Sequence, residues 1–237
     1  MDRLLNTPVP ERELPQRVER LSEEHREAFV DICAYSGGAI RVNMQYVKKG
    51  ITGAIPAAYV RETVAKKLLE AKKLLPPGYT FEILDAWRPY EVQLALFNEY
   101  RDRLAARHPE ASLEALDRMA CEFVSYPDKS KQVSFVHSSG GAVDLRILNT
   151  EGLPLDMGSD FDAFTEKSYT VWYEKEGSDP AIRDNRRLLY NVLTACGFTN
   201  YPAEWWHYDF GDVFWAYYTG RAVLYCSEYD RREVTKK

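Results

Sequence analysis

The stretch Ser134-Phe135-Val136-His137-Ser138-Ser139-Gly140-Gly141-Ala142-Val143-Asp144-Leu145-Arg146-Ile147 decides how the rest of the chain is read. It opens as a loop of small residues and runs into an apolar strand. One histidine sits in the loop and one aspartate on the strand. Glycines suit a backbone that folds closely around a bound group, because they tolerate φ > 0 and lack a Cβ. Asp144 shares a strand face with Ala142, Arg146 and Leu148, and a carboxylate in an apolar strand is costly unless paired or metal-bound. Two readings stand side by side: a metal site, or an Asp144–Arg146 pair next to a loop histidine.

A second stretch, Glu204-Trp205-Trp206-His207-Tyr208, adds another imidazole and a spare carboxylate. Two imidazoles and one carboxylate are the three protein ligands of a catalytic zinc site, with a fourth position left for water. Residues three apart on a strand point to opposite faces. Glu204 and His207 therefore serve one site only if Glu204 sits in a turn or bulge before the strand, and Pro202 favours a late strand start. The alternative is a core histidine bonded to a tyrosine, with Glu204 at the surface. The other two histidines, His25 and His108, lie in charged segments and read as solvated.

The 237 residues suit one large domain with its own core. Residues 1–28 are polar and read as an N-terminal extension with a short helix from Ser22; residues 29–237 form the domain. A net charge of −5 argues against a nucleic-acid partner. No signal-peptide core and no run of ~20 apolar residues is present, so neither a membrane nor an export route is expected, and the cytoplasm is the default location. No segment points to an obligate protein partner. Cys33, Cys121, Cys196 and Cys226 form no CxxC and read as reduced, mostly buried thiols.

Alternation of Ile40, Val42, Met44 and Tyr46 predicts a strand over 39–46. Phe29–Ile32 reads equally as strand or helix end. Pro56 predicts a helix start, with Val60, Val64, Leu68 and Leu75 as its stripe and Pro76-Pro77-Gly78 as its stop. Tyr79, Phe81 and Ile83 mark a strand ending in Asp85-Ala86-Trp87-Arg88-Pro89. Further helices are expected from Pro89, from Ser112 with Leu113, Leu116, Met119 and Phe123 on one face, and from Asp179-Pro180 to Gly197. Strands are expected over 142–149 and at Trp206, Tyr208 and Phe210, with 156–170 irregular. Strands and helices mix without a βαβ rhythm, which predicts a single α+β domain with a mostly antiparallel sheet and helices packed against it.

Four motifs in order carry a resemblance: Asp85-Ala86-Trp87-Arg88-Pro89, His137 to Asp144, Met157-Gly158-Ser159-Asp160-Phe161-Asp162, and Glu204-Trp205-Trp206-His207. Over roughly residues 30–225 the chain resembles the D-alanyl-D-alanine dipeptidases of the vancomycin-resistance type, within the zinc DD-peptidase family. The resemblance implies a DD-peptidase (Hedgehog-like) fold and one Zn²⁺ per chain held by His137, Asp144 and His207. It implies Glu204 as general base and Arg88 as the group polarising the scissile carbonyl. Asp162 and Tyr46 would meet the ammonium end of a small D,D-dipeptide. Two departures stand out: Phe135 where the family carries a serine, and Trp87 where it carries a tyrosine. Two rivals remain, a DD-carboxypeptidase that trims terminal D-Ala from wall precursors and a non-catalytic module stabilised by zinc.

Overall fold

A computed structural model describes residues 2–17, 27–121, 124–131, 133–163 and 165–236. Its centre is a five-stranded sheet in the order β2 (Arg41–Val42), β4 (Thr80–Asp85), β5 (Ala142–Leu148), β7 (His207–Asp209), β6 (Thr199–Asn200). Only the β2–β4 pair in it is parallel. A small antiparallel sheet pairs β1 (Phe29–Asp31) with β3 (Tyr59–Arg61). The α+β architecture expected from the sequence is therefore present.

Strand β5 explains the core. Val143, Leu145 and Ile147 are fully buried and join one apolar cluster with Val64 and Leu68 of α4 (Glu62–Leu74) and Leu189 and Val192 of α7 (Pro180–Ala195). Each such side chain stabilises the fold by about 1.5–3 kcal/mol relative to exposure. The alternate residue Asp144 belongs to the other face, where the polar groups gather. A second cluster joins Phe97, Tyr100 and Leu104 of α5 (Tyr90–Arg107) to Leu116 and Ala120 of α6 (Leu113–Cys121).

Several expectations need correction. The strand predicted over 39–46 stops at Val42, and Tyr46 lies on a short helix, α3 (Gln45–Lys48). Ile40, Met44 and Tyr46 are buried as the alternation implied, but so short a pattern does not separate a strand from a helix end. The helix expected from Pro56 starts at Glu62, because Val60 pairs with Val30 in the small sheet. Phe29–Ile32 divides into strand β1 and the start of α2 (Ile32–Tyr35). Ser112 does cap α6 through the Ala115 amide, yet Leu113 is exposed, while Phe123 lies outside the described residues. So does the helix expected from Ser22. None of the four cysteines is buried; all are free, and Cys121 and Cys226 are exposed. No helix among the described residues is long and apolar enough to cross a membrane.

The N-terminal residues are docked rather than loose. Helix α1 (Asp2–Asn6) lies on α7, where Asn191 donates to the Leu4 and Thr7 carbonyls and Arg187 to that of Leu5.

The His137 loop is held by close packing. Val136–Ser139 form one tight helical turn, which Gly140 closes at φ +74°. Arg61 of β3, unremarked in the sequence, is buried with its guanidinium 3.9 Å from the Phe29 ring and donates to the Ser139, Glu27 and Cys226 carbonyls. A Cβ on Gly141 would meet the Phe210 carbonyl oxygen at 2.4 Å. Gly141→Ala should therefore destabilise the fold by about 1–3 kcal/mol, as overpacking against backbone does, read as a lower denaturation midpoint.

Candidate metal centre

The register of three neighbouring strands builds the site. Asp85 at the end of β4 faces Asp144 on β5, and Asp144 faces His207 on β7. A bulge between Ile83 and Asp85 re-aims the last residue of β4. His137 arrives from the tight turn before β5. Together His137, Asp144 and His207 offer ligand atoms that all lie within 4.8 Å of one another, and all three are buried.

Hydrogen bonding fixes which imidazole atoms face inward. His137 Nδ1–H donates to the Ala86 carbonyl at 2.8 Å, leaving Nε2 as the inward atom. His207 Nε2–H donates to Asp209 Oδ1 at 2.8 Å, leaving Nδ1 inward. His137 Nε2 then lies 3.2 Å from His207 Nδ1, and His207 Nδ1 lies 2.9 Å from Asp144 Oδ1. Three buried electron-pair donors thus point at one another. Such a cluster is stable only with positive charge at its centre. The titration tendencies agree. Burial alone would raise Asp144, but the His137 and His207 imidazoles hold it well below the usual carboxylate range. Burial would lower His207, but Asp209 and Asp144 lift it well above its ordinary value. Two nitrogens and one carboxylate oxygen with outer partners already in place suit zinc.

Around this centre lie the remaining residues singled out in the sequence. Glu204 sits in the turn before β7, with Oε2 3.8 Å from His207 Nδ1, so the geometric conflict over its spacing is resolved by a late strand start. Burial pushes its carboxyl up to about 8. Arg88 is buried: Nε donates to Asp85 at 2.8 Å, Nη1 to Gln93 at 2.6 Å, and Nη2 lies 3.7 Å from Asp144. Burial would lower Arg88, but Tyr46, Asp85 and Asp144 raise it, so the cation is secure. The pair imagined between Asp144 and Arg146 is absent; Arg146 bonds Glu82 instead. Tyr46 OH donates to Asp162 Oδ1 at 3.3 Å, and Arg88 Nη2 lies 3.4 Å from Tyr46 OH. All seven residues line one cleft of about 530 Å³.

Several residues of the site escaped the sequence reading. Asp209 supports His207, and its signal was available: two residues on along a strand share a face. Asp212 caps α8 (Val213–Thr219) through the Phe214 and Trp215 amides, both at 3.0 Å. Burial, and then Asp209 beside it, pushes the Asp212 carboxyl well above its usual range. Asn200 donates to the Glu204 and His207 carbonyls and pins the turn between them. Asp85 and Gln93 orient Arg88. Leu14, Pro15 and Arg17 of the N-terminal extension also line the cleft.

Comparison with known proteins adds the following. The profile of a peptidase family described as D-ala-D-ala dipeptidase matches residues 36–224. A D-alanyl-D-alanine dipeptidase of Synechocystis sp. is 27% identical over 179 residues, 67% of this chain and 72% of that one. The Escherichia coli protein of that name is 32% identical over 50% of this chain and 55% of its own length. The Enterococcus faecium one is 31% identical over 63% and 71%. A solved structure of the vancomycin-resistance D,D-pentapeptidase VanY in complex with Zn(II) covers 89% of this chain and 95% of its own, at 13% identity and a TM-score of 0.47.

Adding zinc to metal-stripped protein should raise Tm in proportion to the logarithm of free zinc, and Asp144→Ala should abolish the rise. Asp209→Ala should weaken zinc by about 10–100-fold, as loss of a ligand's hydrogen-bond partner does, measured by chelator competition.

Proposed function

Because the chain belongs to the D-ala-D-ala dipeptidase family, we propose that it hydrolyses free D-alanyl-D-alanine to two molecules of D-alanine, with one zinc ion per chain. The observation that carries this reading is the inward-facing donor cluster, which has a carboxylate 3.8 Å from it and a buried guanidinium 3.7 Å from it. A purely structural zinc site has four protein ligands and no use for either neighbour.

His137 Nε2, Asp144 and His207 Nδ1 would hold the zinc. When bound, it supplies a Lewis acid that brings the pKa of a water to ~7 and polarises a carbonyl. Glu204 takes the proton of the attacking water and delivers it to the leaving nitrogen. Its side chain, 23% exposed, lines the same cleft. Arg88 stabilises the negative charge that gathers on the carbonyl oxygen. Asp85 and Gln93 hold its plane, so little reorganisation accompanies the reaction. Asp162, steadied by the Tyr46 hydroxyl, accepts the substrate's ammonium group. Residues 29–237 act as the catalytic domain, and the preceding extension contributes one wall of the cleft. A cytoplasmic location, where a free dipeptide is met, belongs to the same proposal.

Zinc-loaded protein should cleave D-Ala-D-Ala far faster than a pentapeptide ending in the same pair; the reverse order, read by released D-alanine, rejects the dipeptidase in favour of a carboxypeptidase. Glu204→Ala should keep zinc and lose hydrolysis. Arg88→Ala should cut kcat by about 10²–10³, the range for an oxyanion donor, with zinc content unchanged.

A further inference from the structure

The carboxylate assigned to the substrate's ammonium already carries an ammonium of the protein itself. Lys49, just beyond α3, places Nζ 2.6 Å from Asp162 Oδ2, while the Tyr46 hydroxyl occupies Oδ1. Nζ also lies 5.3 Å from the centre of the Tyr46 ring and 5.6 Å from that of Phe161. It therefore sits in a pocket of one carboxylate and two aromatic faces, a general recognition site for an organic cation. Asp162 has φ +60°, alone among the described non-glycine residues. Strain of this kind persists where the surroundings over-determine a conformation.

The two partners differ in mobility. The Asp162 side chain is 18% exposed and bonded by the Tyr46 hydroxyl, whereas that of Lys49 is 47% exposed. A lysine ammonium rides on a flexible four-carbon stem and can move into solvent without leaving a buried charge. It is also the same chemical group as the amino end of a peptide: a primary ammonium with three donors.

We propose that Lys49 is an intramolecular competitor for the amino-end subsite. It occupies Asp162 when the subsite is empty, a free peptide ammonium must displace it, and a substrate with a blocked amino end need not. Lys49 thereby sets the preference between free and acylated D,D-peptides. Phe135 acts in the same direction: it is buried, lines the cleft and offers an amino group no side-chain acceptor. The inference rests on the dipeptidase reading and on the assignment of Asp162.

The test compares zinc-loaded full-length wild type, Lys49→Met and Lys49→Arg on D-Ala-D-Ala, with N-acetyl-D-Ala-D-Ala as the ligand lacking an ammonium. Lys49→Met should lower KM for the free dipeptide by about fivefold, the upper range for releasing a partly exposed ion pair, with a smaller change in kcat. It should leave the affinity for the acetylated peptide unchanged, and Lys49→Arg, which keeps the cation, should behave as wild type. The same gain should appear in the calorimetric Kd of D-Ala-D-Ala when Lys49→Met is added to Glu204→Gln, where turnover does not interfere. An unchanged or higher KM for the free dipeptide, or an equal gain for both ligands, overturns the role of Lys49 while dipeptide turnover by wild type upholds the enzyme reading. Absence of dipeptide turnover by zinc-loaded wild type overturns both.

Discussion

Mutual repulsion of three electron-pair donors is the constraint on which this molecule is built. His137 Nε2, His207 Nδ1 and an Asp144 oxygen converge in a buried space, and each neutral imidazole has its proton committed elsewhere, to Ala86 or to Asp209. A proton on His207 Nδ1, bonded to Asp144, relieves one side of the cluster. A divalent cation held by all three donors relieves the whole of it. The surrounding charges are arranged to suit it: Arg88 is balanced by Asp85, and His207 is bonded on its outer side to Asp209.

The chemistry is separated from that place by small, defined distances. Glu204 stands beside the ligand set without joining it, and burial gives it a higher proton affinity than an ordinary glutamate. Arg88 approaches from the opposite chain segment, its backbone amide bonded to the His137 carbonyl at 3.2 Å. The tight turn that carries His137 and the backbone of Arg88 are thus joined through one hydrogen bond.

Much of this was legible in the order of residues. His137, Asp144, Glu204 and His207 are chemically distinctive types in apolar or small-residue surroundings, and their spacing is local enough to read. Arg88 is reached through the resemblance carried by Asp85-Ala86-Trp87-Arg88-Pro89. What could not be read depended on contacts across the sheet. Asp85 matters because it lies opposite Asp144, and Gln93 because one turn of α5 brings it under the guanidinium. Arg61 matters because β3 pairs with β1 and leaves its side chain under the His137 loop. The misplaced boundaries at Tyr46 and Pro56 have the same origin: strand pairing and a turn overrode short local patterns.

The ligands also carry a message about assembly. His137 and His207 are 70 residues apart and His207 and Asp144 are 63 apart, on chain segments joined only through completed strand pairing. Closing loops of that length is slow and unrewarded until both strands are in register. A one-residue slip of β5 would also turn Asp144 toward the helix-covered side. The full set of three donors therefore exists only once β5 and β7 are in register, and the ion rivets a finished sheet.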